Sequence, residues 1–172
     1  AVLWRGVGLA AALSCSLARA QTTGRVSVDS GGVQADFGGA LPSISADGRF
    51  VAFSSDATNL VLGDTNGCSD VFVRDRQLGT TERVSVDSAG AQGNAFSSSP
   101  SISADGRFVA FNSDATNLVA GDTNGWRDVF VHDRQSGATE RVSVDSAGVQ
   151  GNGESDPFVP PSISADGRYV AF

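Results

Sequence analysis

Acidic and amide side chains recur at two places in the chain with a spacing that could bind calcium. Carboxylate and amide oxygens at alternate positions around a glycine turn are the ligands of calcium loops. The spacing D-x-N-x-x-x-D therefore makes two sets of residues candidate calcium ligands: Asp64, Asn66 and Asp70, and Asp122, Asn124 and Asp128. The match is partial, because the fifth position holds Cys68 or Trp126 and no bidentate glutamate follows. The alternative is that Asn66-Gly67 and Asn124-Gly125 form turns whose acidic neighbours cap backbone N–H groups. No other cofactor is indicated.

The tips of these segments are candidate binding loops. Residues 54–69 separate two apolar runs, and loops of this length without secondary structure are uncommon and often functional. The tip reads Cys68-Ser69 in one copy and Trp126-Arg127 in the other. Aromatic loop residues such as Trp126, Phe96 and Phe158 can be binding hot spots, or they can pack under a neighbouring unit. Packing is the favoured interpretation for these three residues.

No catalytic constellation is found. Asp47, Asp105 and Asp166 each precede a glycine, and turn formation explains them better than carboxylate catalysis. The single histidine, His132, corresponds to Arg74 in the other copy, which predicts an exposed surface residue rather than a general base. A nucleophile elbow, zinc spacing and phosphate loop are all missing from the sequence. We therefore predict that the chain is not an enzyme.

An internal repeat positions all these residues. Residues 43–94 and 101–152 align at an offset of 58, with 44 identities in 52 positions. The end of an earlier copy is found at Arg25–Ser30 and the start of a later one at Ser162–Tyr169. The predicted units are 21–42, 43–100, 101–161 and 162–172.

Each unit predicts four short antiparallel strands. In the first full unit these are residues 43–45, 50–53, 71–73 and 82–86, with a two-residue Asp47-Gly48 hairpin after the first. The second and third are apolar on both faces, which is typical of covered strands. The fourth alternates polar and apolar residues, as at a wetter outer edge. These features predict an all-β fold of four-stranded β-propeller blades, and a β-solenoid is the alternative.

The repeat resembles the WD-like β-propeller repeat of the TolB family. The residues that carry the resemblance are Pro42–Phe53, with its S-x-D-G turn before an apolar strand, and Asp70–Asp75, with its D-x-F-V strand. Ala46 stands where the family often has proline, and the 54–69 loop is long. The resemblance implies the propeller fold over most of residues 22–172 and leaves the function open, because propellers host many roles.

The N-terminal residues predict export. Arg5 precedes an apolar run from Val7 to Leu17 and then Ala18-Arg19-Ala20, which is the pattern of a signal peptide over residues 1–20. The run is too short to span a bilayer, so no transmembrane segment is predicted in the mature chain. A lipoprotein signal at Cys15 fits less well. We expect a periplasmic or secreted protein whose single remaining cysteine, Cys68, forms no intrachain disulfide.

The net charge of the chain excludes one class of partner from our expectations. The 172-residue chain has 19 acidic residues against 12 arginines and no lysine, giving a net charge of −7. Nucleic acid is not expected as a partner, because phosphate binding needs a basic surface.

Three functions stay open. The first is a non-catalytic exported scaffold that binds a protein or an envelope polymer. The second is the propeller part of a larger secreted hydrolase or lyase. The third is a calcium-stabilised surface or adhesive protein. Because two whole units and two partial ones are too few for a ring of four to eight blades, we expect the sequence to be a piece of a longer product.

Overall fold

The computed structural model describes residues 23–153, 155 and 159–172. The predicted signal peptide, Cys15 and Phe158 lie outside these residues. Two four-stranded antiparallel sheets and one two-stranded sheet follow each other along the chain. The first sheet contains β1 (Gly39–Ile44), β2 (Phe50–Ser55), β3 (Asp70–Asp75) and β4 (Thr80–Arg83). The second contains β5 (Ser97–Ile102), β6 (Phe108–Ser113), β7 (Asp128–Asp133) and β8 (Thr139–Arg141), and the third pairs β9 (Ser162–Ile163) with β10 (Val170–Ala171).

Each full sheet is a four-stranded meander in sequence order, as predicted, which is the architecture of a propeller blade. The described residues do not close a ring. Within the same residues, no helix is long and apolar enough to cross a membrane.

The two central strands of each sheet are buried on both faces, which confirms the prediction from their apolar runs. In the first sheet, Ala52, Val71 and Val73 face the second sheet, where they join a core with Phe111 and Phe130. On the opposite face, Phe53 and Phe72 pack with Ala57 and Leu60 from the loop after β2. Phe53 pairs with Phe72 across the strands, and their ring centroids lie 5.9 Å apart. The main hydrophobic core therefore lies between successive sheets, so each repeat needs its neighbour to bury its apolar face.

The turn after the first strand differs from the predicted two-residue hairpin. Ser45 N donates to Phe50 O, so four residues, 46–49, form the connection. Only Gly48 has a positive φ, of 71°. The Asp47 carboxylate accepts hydrogen bonds from the Ser45 hydroxyl and from Arg49 N, and it thereby holds the wider turn closed.

The last predicted strand of each unit is also shorter than expected. β4 ends at Arg83, and Val86 forms an isolated bridge with Gln92 after the chain has turned. The end of the earlier copy, Arg25–Ser30, behaves in the same way, because Val28 forms only an isolated bridge with Gln34. These valine segments bind the next sheet instead: Thr81 Oγ1 donates to Val28 O at 2.6 Å, and Thr139 Oγ1 to Val86 O at 2.6 Å.

Consecutive repeats are also joined through their turns. Ala46 N donates to Ala104 O, and Ala104 N to Ala165 O. The Phe50 ring of the first repeat lies directly on Gly106 of the second, where an added Cβ would stand 2.1 Å from a ring carbon. Arg134 stacks over the same ring at 4.3 Å and donates from Nε to Glu82 of the first repeat. Backbone, aromatic and ionic contacts thus fix the angle between the sheets.

Candidate functional site

The loop after β2 is packed between repeats. Ala57 and Leu60 are buried in the apolar cluster on the first sheet. Asn59 Nδ2 donates to Gln34 O of the preceding segment at 2.8 Å, and Asn66 Nδ2 donates to Gly93 O of the following segment at 2.9 Å. The loop therefore connects the segment before its sheet to the segment after it.

The candidate calcium ligands of the first repeat form a hydrogen-bonded network around Asp70. The Asp70 carboxylate is fully buried and accepts from Ser85 Oγ at 2.6 Å, Gln92 Nε2 at 3.0 Å and Asn66 Nδ2 at 3.2 Å. Arg83 Nη1 lies 3.3 Å from Asp70 and 3.5 Å from Asp64. Burial raises the pKa of Asp70, and the hydrogen bonds from Ser85 and Gln92 oppose that rise.

The second repeat repeats this network with one change. Asp128 accepts from Ser143 Oγ at 2.6 Å and from Asn124 Nδ2 at 3.1 Å. Arg141 Nη1 lies 3.0 Å from Asp122 and 3.2 Å from Asp128. Gln150, the counterpart of Gln92, donates to Thr123 Oγ1 instead of to a carboxylate.

As arranged, neither network fits a calcium ion. An arginine already supplies the positive charge between each pair of carboxylates. The Asn66 and Asn124 side-chain oxygens accept from the backbone N–H of Cys68 and Trp126. Within the described ranges, no group of three or more His, Cys, Asp or Glu side chains could hold a metal ion. Calcium binding stays a prediction, and it would require both arginines to move.

The repeated Asp-Gly carboxylates hold turns, as expected. The hydroxyls of Ser103 and Ser164 donate to Asp105 and Asp166 at 2.6 Å, as Ser45 does to Asp47. These hydroxyl hydrogen bonds are the main cause of the lowered pKa of all three carboxyls.

The first two of these turns are each anchored to their sheet by an arginine. Arg49 forms a fork with Asp75, with Nη2 at 2.6 Å from Oδ2, and hydrogen bonding to Arg49 lowers the pKa of Asp75 to about 2. Arg107 binds Asp133 in the same way and lowers the pKa of that carboxyl.

The prediction that His132 is an exposed surface residue is wrong. Its side chain is buried, and Nδ1 lies 2.8 Å from Thr139 Oγ1, the hydroxyl that binds Val86 O. Arg74 contacts the equivalent Thr81 through Nη1 at 3.1 Å. Both residues therefore sit at the seam between repeats, and burial lowers the pKa of His132.

A cleft of about 560 Å³ lies between the first and second sheets. It is bounded by the start of β1, the end of β2, the start of β5 and the end of each long loop. Its lining residues are Gly38, Ala40, Leu41, Ser54, Ser55, Asp56, Ser69, Phe96, Ser98, Ser99 and Arg127.

Backbone strain is concentrated in this cleft. Leu41 and Ser99 have φ values of 51° and 56°, which side-chain-bearing residues rarely adopt. They occupy equivalent bulges, at which β1 and β5 lose their regular pairing with β2 and β6. Strained backbone of this kind is often retained at binding sites.

The candidate tip residues divide between this cleft and the surface. Ser69 and Arg127 line the cleft, whereas Cys68 is half-buried beside it and Trp126 is 48% exposed. The expectation that Trp126 packs under the next unit is therefore wrong. Phe96 is 39% exposed at the cleft wall and is partly covered by the next unit, because the Arg127 guanidinium lies over its ring.

Sequence reasoning missed Leu41, Asp56 and Ser99. The sequence did contain a signal for most of the cleft. The equivalent segments 36–42 and 94–100 share only their final proline, while the residues on either side of them are nearly identical.

Comparison with known proteins finds similarity at the level of solved structures. No protein family and no curated protein matches the chain. It is similar to TolB from Acinetobacter baumannii, with 21% identity, a TM-score of 0.47 and coverage of 78% of this chain and 26% of that one. A putative TolB from Agrobacterium tumefaciens has 20% identity, a TM-score of 0.43 and coverage of 64% and 31%. The tricorn protease has 16% identity, a TM-score of 0.44 and coverage of 77% and 10%. The chain thus spans less than a third of each of these proteins.

Proposed function

We propose that this protein is a non-catalytic exported scaffold that binds a protein or a cell-envelope polymer through the cleft between its first two sheets. The observation that carries the proposal is where the repeats differ. Most positions that build the sheets are identical in the two copies, whereas residues 36–41 and 94–99, which supply six of the residues that line the cleft, share no residue. A surface that only held blades together would have no reason to vary while the blades do not.

The chemistry of the described side chains supports binding over catalysis. His132 is held against Thr139, the Asp-Gly carboxylates hold turns, and the buried carboxylates are occupied by arginine and amide donors. The cleft combines small side chains and hydroxyls with Leu41, one aromatic ring and the Asp56 carboxylate, which suit recognition of a ligand that has apolar and polar parts.

Filling the cleft tests the binding proposal. Gly38 lines it and has no positive φ, and a Cβ added there would meet no atom within 4 Å, so Gly38→Trp should place an indole in the cleft without strain. Gly24→Trp is the matched control, because Gly24 is equally open and does not line the cleft. The tagged full chain carrying each substitution is incubated with a bacterial envelope extract, and retained proteins and polymers are measured. We expect retention to be lost only with Gly38→Trp; equal retention by both variants would show that the cleft is not the site.

Export is tested separately. Residues 1–20 fused to alkaline phosphatase should give activity, because that reporter needs the oxidising environment outside the cytoplasm to form its disulfides. An inactive fusion would refute the predicted signal peptide.

A further inference from the structure

The two full repeats carry the same aspartate at the end of the second strand but give it different partners. In the second repeat, Arg127 Nε donates to Asp114 Oδ1 and Nη2 to Oδ2, both at 2.8 Å. This parallel fork is the strongest common geometry between a guanidinium and a carboxylate.

In the first repeat the equivalent residues are Asp56 and Ser69. Ser69 O accepts from Ser97 N at 2.8 Å, as Arg127 O accepts from Ser155 N at 3.0 Å, so the backbone is held in the same way at both positions. A serine side chain cannot span the distance that an arginine covers. Among the residues that the structure describes, none forms a hydrogen bond or ion pair with the Asp56 carboxylate.

Asp56 lines the cleft together with an apolar wall. The side chains of Leu41 and Phe96 are both partly exposed there, beside the small residues Gly38 and Ala40. The Phe96 ring already has a guanidinium over it, because the terminal carbon of Arg127 lies 5.4 Å from its centroid. An apolar stem ending in a planar cation matches this combination, and arginine has that form.

We propose that the cleft receives an arginine side chain of a partner protein, whose guanidinium binds Asp56 as Arg127 binds Asp114. This inference rests on the proposed binding function and narrows its ligand to a basic protein segment. The net charge of −7 favours the approach of such a segment. Ser69 is the residue that leaves the carboxylate available, and the repeat with arginine at that position satisfies its own aspartate.

The test uses N-acetylarginine amide as the probe and N-acetylcitrulline amide as its uncharged counterpart of nearly equal shape. Binding to the full chain is followed by the amide NMR signals of Asp56 and Ser69. We expect saturable shifts with the arginine probe and at least tenfold weaker binding of citrulline. Asp56→Asn, which keeps the side-chain shape, should weaken binding at least tenfold. Ser69→Arg should abolish it, because the introduced guanidinium would occupy the carboxylate.

The outcomes separate this inference from the proposed function. Shifts that are absent, equal for both probes or unchanged in Asp56→Asn overturn the arginine site. If an oligomer of glucosamine binds and the arginine probe does not, the occupant is an amino-sugar polymer, and the inference is wrong while the scaffold function stands. If Gly38→Trp and Gly24→Trp retain the same components, binding through the cleft is refuted, whatever the probe shows. If Ser69→Arg fails to fold, Asp56→Asn still tests the proposal. Asp56 is exposed and anchors no other residue, so its substitution should not unfold the chain.

Discussion

The two complete repeats share nearly all their residues and their strand register, yet three of their side-chain contacts differ. The buried carboxylate of the first is bound by Gln92, whereas Gln150 of the second turns to Thr123. The residue at the seam is Arg74 in the first repeat and His132 in the second. The aspartate after the second strand forms an ion pair with Arg127 in the second repeat, as Asp114, but has Ser69 in place of that arginine in the first, as Asp56. Nearly identical residues thus form the central strands, and the differences fall in the cleft, at the seam between repeats and at exposed positions such as Leu62 and Leu78.

The largest expected difference between the repeats concerns the turn glycines. Gly106→Ala adds a methyl group that meets the Phe50 ring and must also adopt a φ of 75°, whereas Gly48→Ala, at a φ of 71°, meets nothing closer than 3.7 Å. We expect Gly106→Ala to lower the free energy of unfolding by about 3 kcal/mol, from left-handed strain and overpacking together. Gly48→Ala should cost about 1 kcal/mol, from strain alone. Urea denaturation measures both values, and equal losses would show that Phe50 moves aside freely.

The buried networks around Asp70 and Asp128 predict a smaller difference in unfolding free energy between the two repeats. Gln92 donates to both Asp64 and Asp70, so Gln92→Ala leaves two carboxylates short of a donor and should cost about 2 kcal/mol. Gln150→Ala removes contacts to Thr123 alone and should cost about 0.5 kcal/mol. The same denaturation experiment decides this comparison. A reversed order would mean that Gln150 also binds the carboxylates in solution.

The residues at the seam, Arg74 and His132, predict that the free energy of unfolding depends on pH through the second repeat only. Because burial lowers the pKa of His132 below its ordinary value of 6.5, the unfolded chain binds a proton before the folded chain does. Its contribution to stability is therefore full above pH 6.5 and falls as the pH drops from 6.5 toward the lower folded value. Glu82 and Asp133 oppose the shift, and Arg134 adds to it.

The matched variant for this pH effect is His132→Arg, which places the first repeat's residue at the seam. Unfolding free energies at pH 7.5 and 5.5 should fall further for the wild type than for the variant. The carboxyls with lowered pKa values, such as Asp75 at about 2, titrate below this window and are common to both proteins. An identical fall in the two proteins would contradict a role for His132.

The smallest expected effect is that of a chelator. Because Arg83 and Arg141 already lie against the paired carboxylates, excess EDTA should leave the melting temperature unchanged, within about 1 °C. A clear decrease that added Ca²⁺ reverses would instead establish the calcium sites. Arg83→Gln provides a control, since removing the guanidinium should make the first loop more responsive to calcium if the carboxylates can bind it.

The fold was predictable because it depends on local patterns. The 58-residue period, the apolar runs of β2 and β3 and the Asp-Gly turns each mark a feature that the structure contains. Strand ends were harder to place. The serine-rich start of β5 has no apolar alternation; it pairs with β6, and Ser97 N donates to Ser69 O of the first repeat.

The site was less predictable, because its residues come together only when two repeats stack. Asp64, Asn66 and Asp70 are close in sequence and look like a metal loop, but Arg83 reaches them from the next strand. His132 looked exposed because its counterpart is arginine, but it is buried beside Thr139, which binds the Val86–Ser88 segment of the preceding repeat. Asp56 stands out as a candidate binding residue only when Ser69 is compared with Arg127.

The line of hydrogen bonds from Ala46 to Ala104 to Ala165 has a direction, since each amide donates to the carbonyl of the following repeat. Hydrogen exchange at Ala46 N therefore reports the separation of the first repeat from the second, and exchange at Ala104 N reports the separation of the second from the third. Two amide protons can thus follow the opening of two adjacent seams independently, and a ligand that bridges the first two sheets should slow exchange at Ala46 more than at Ala104.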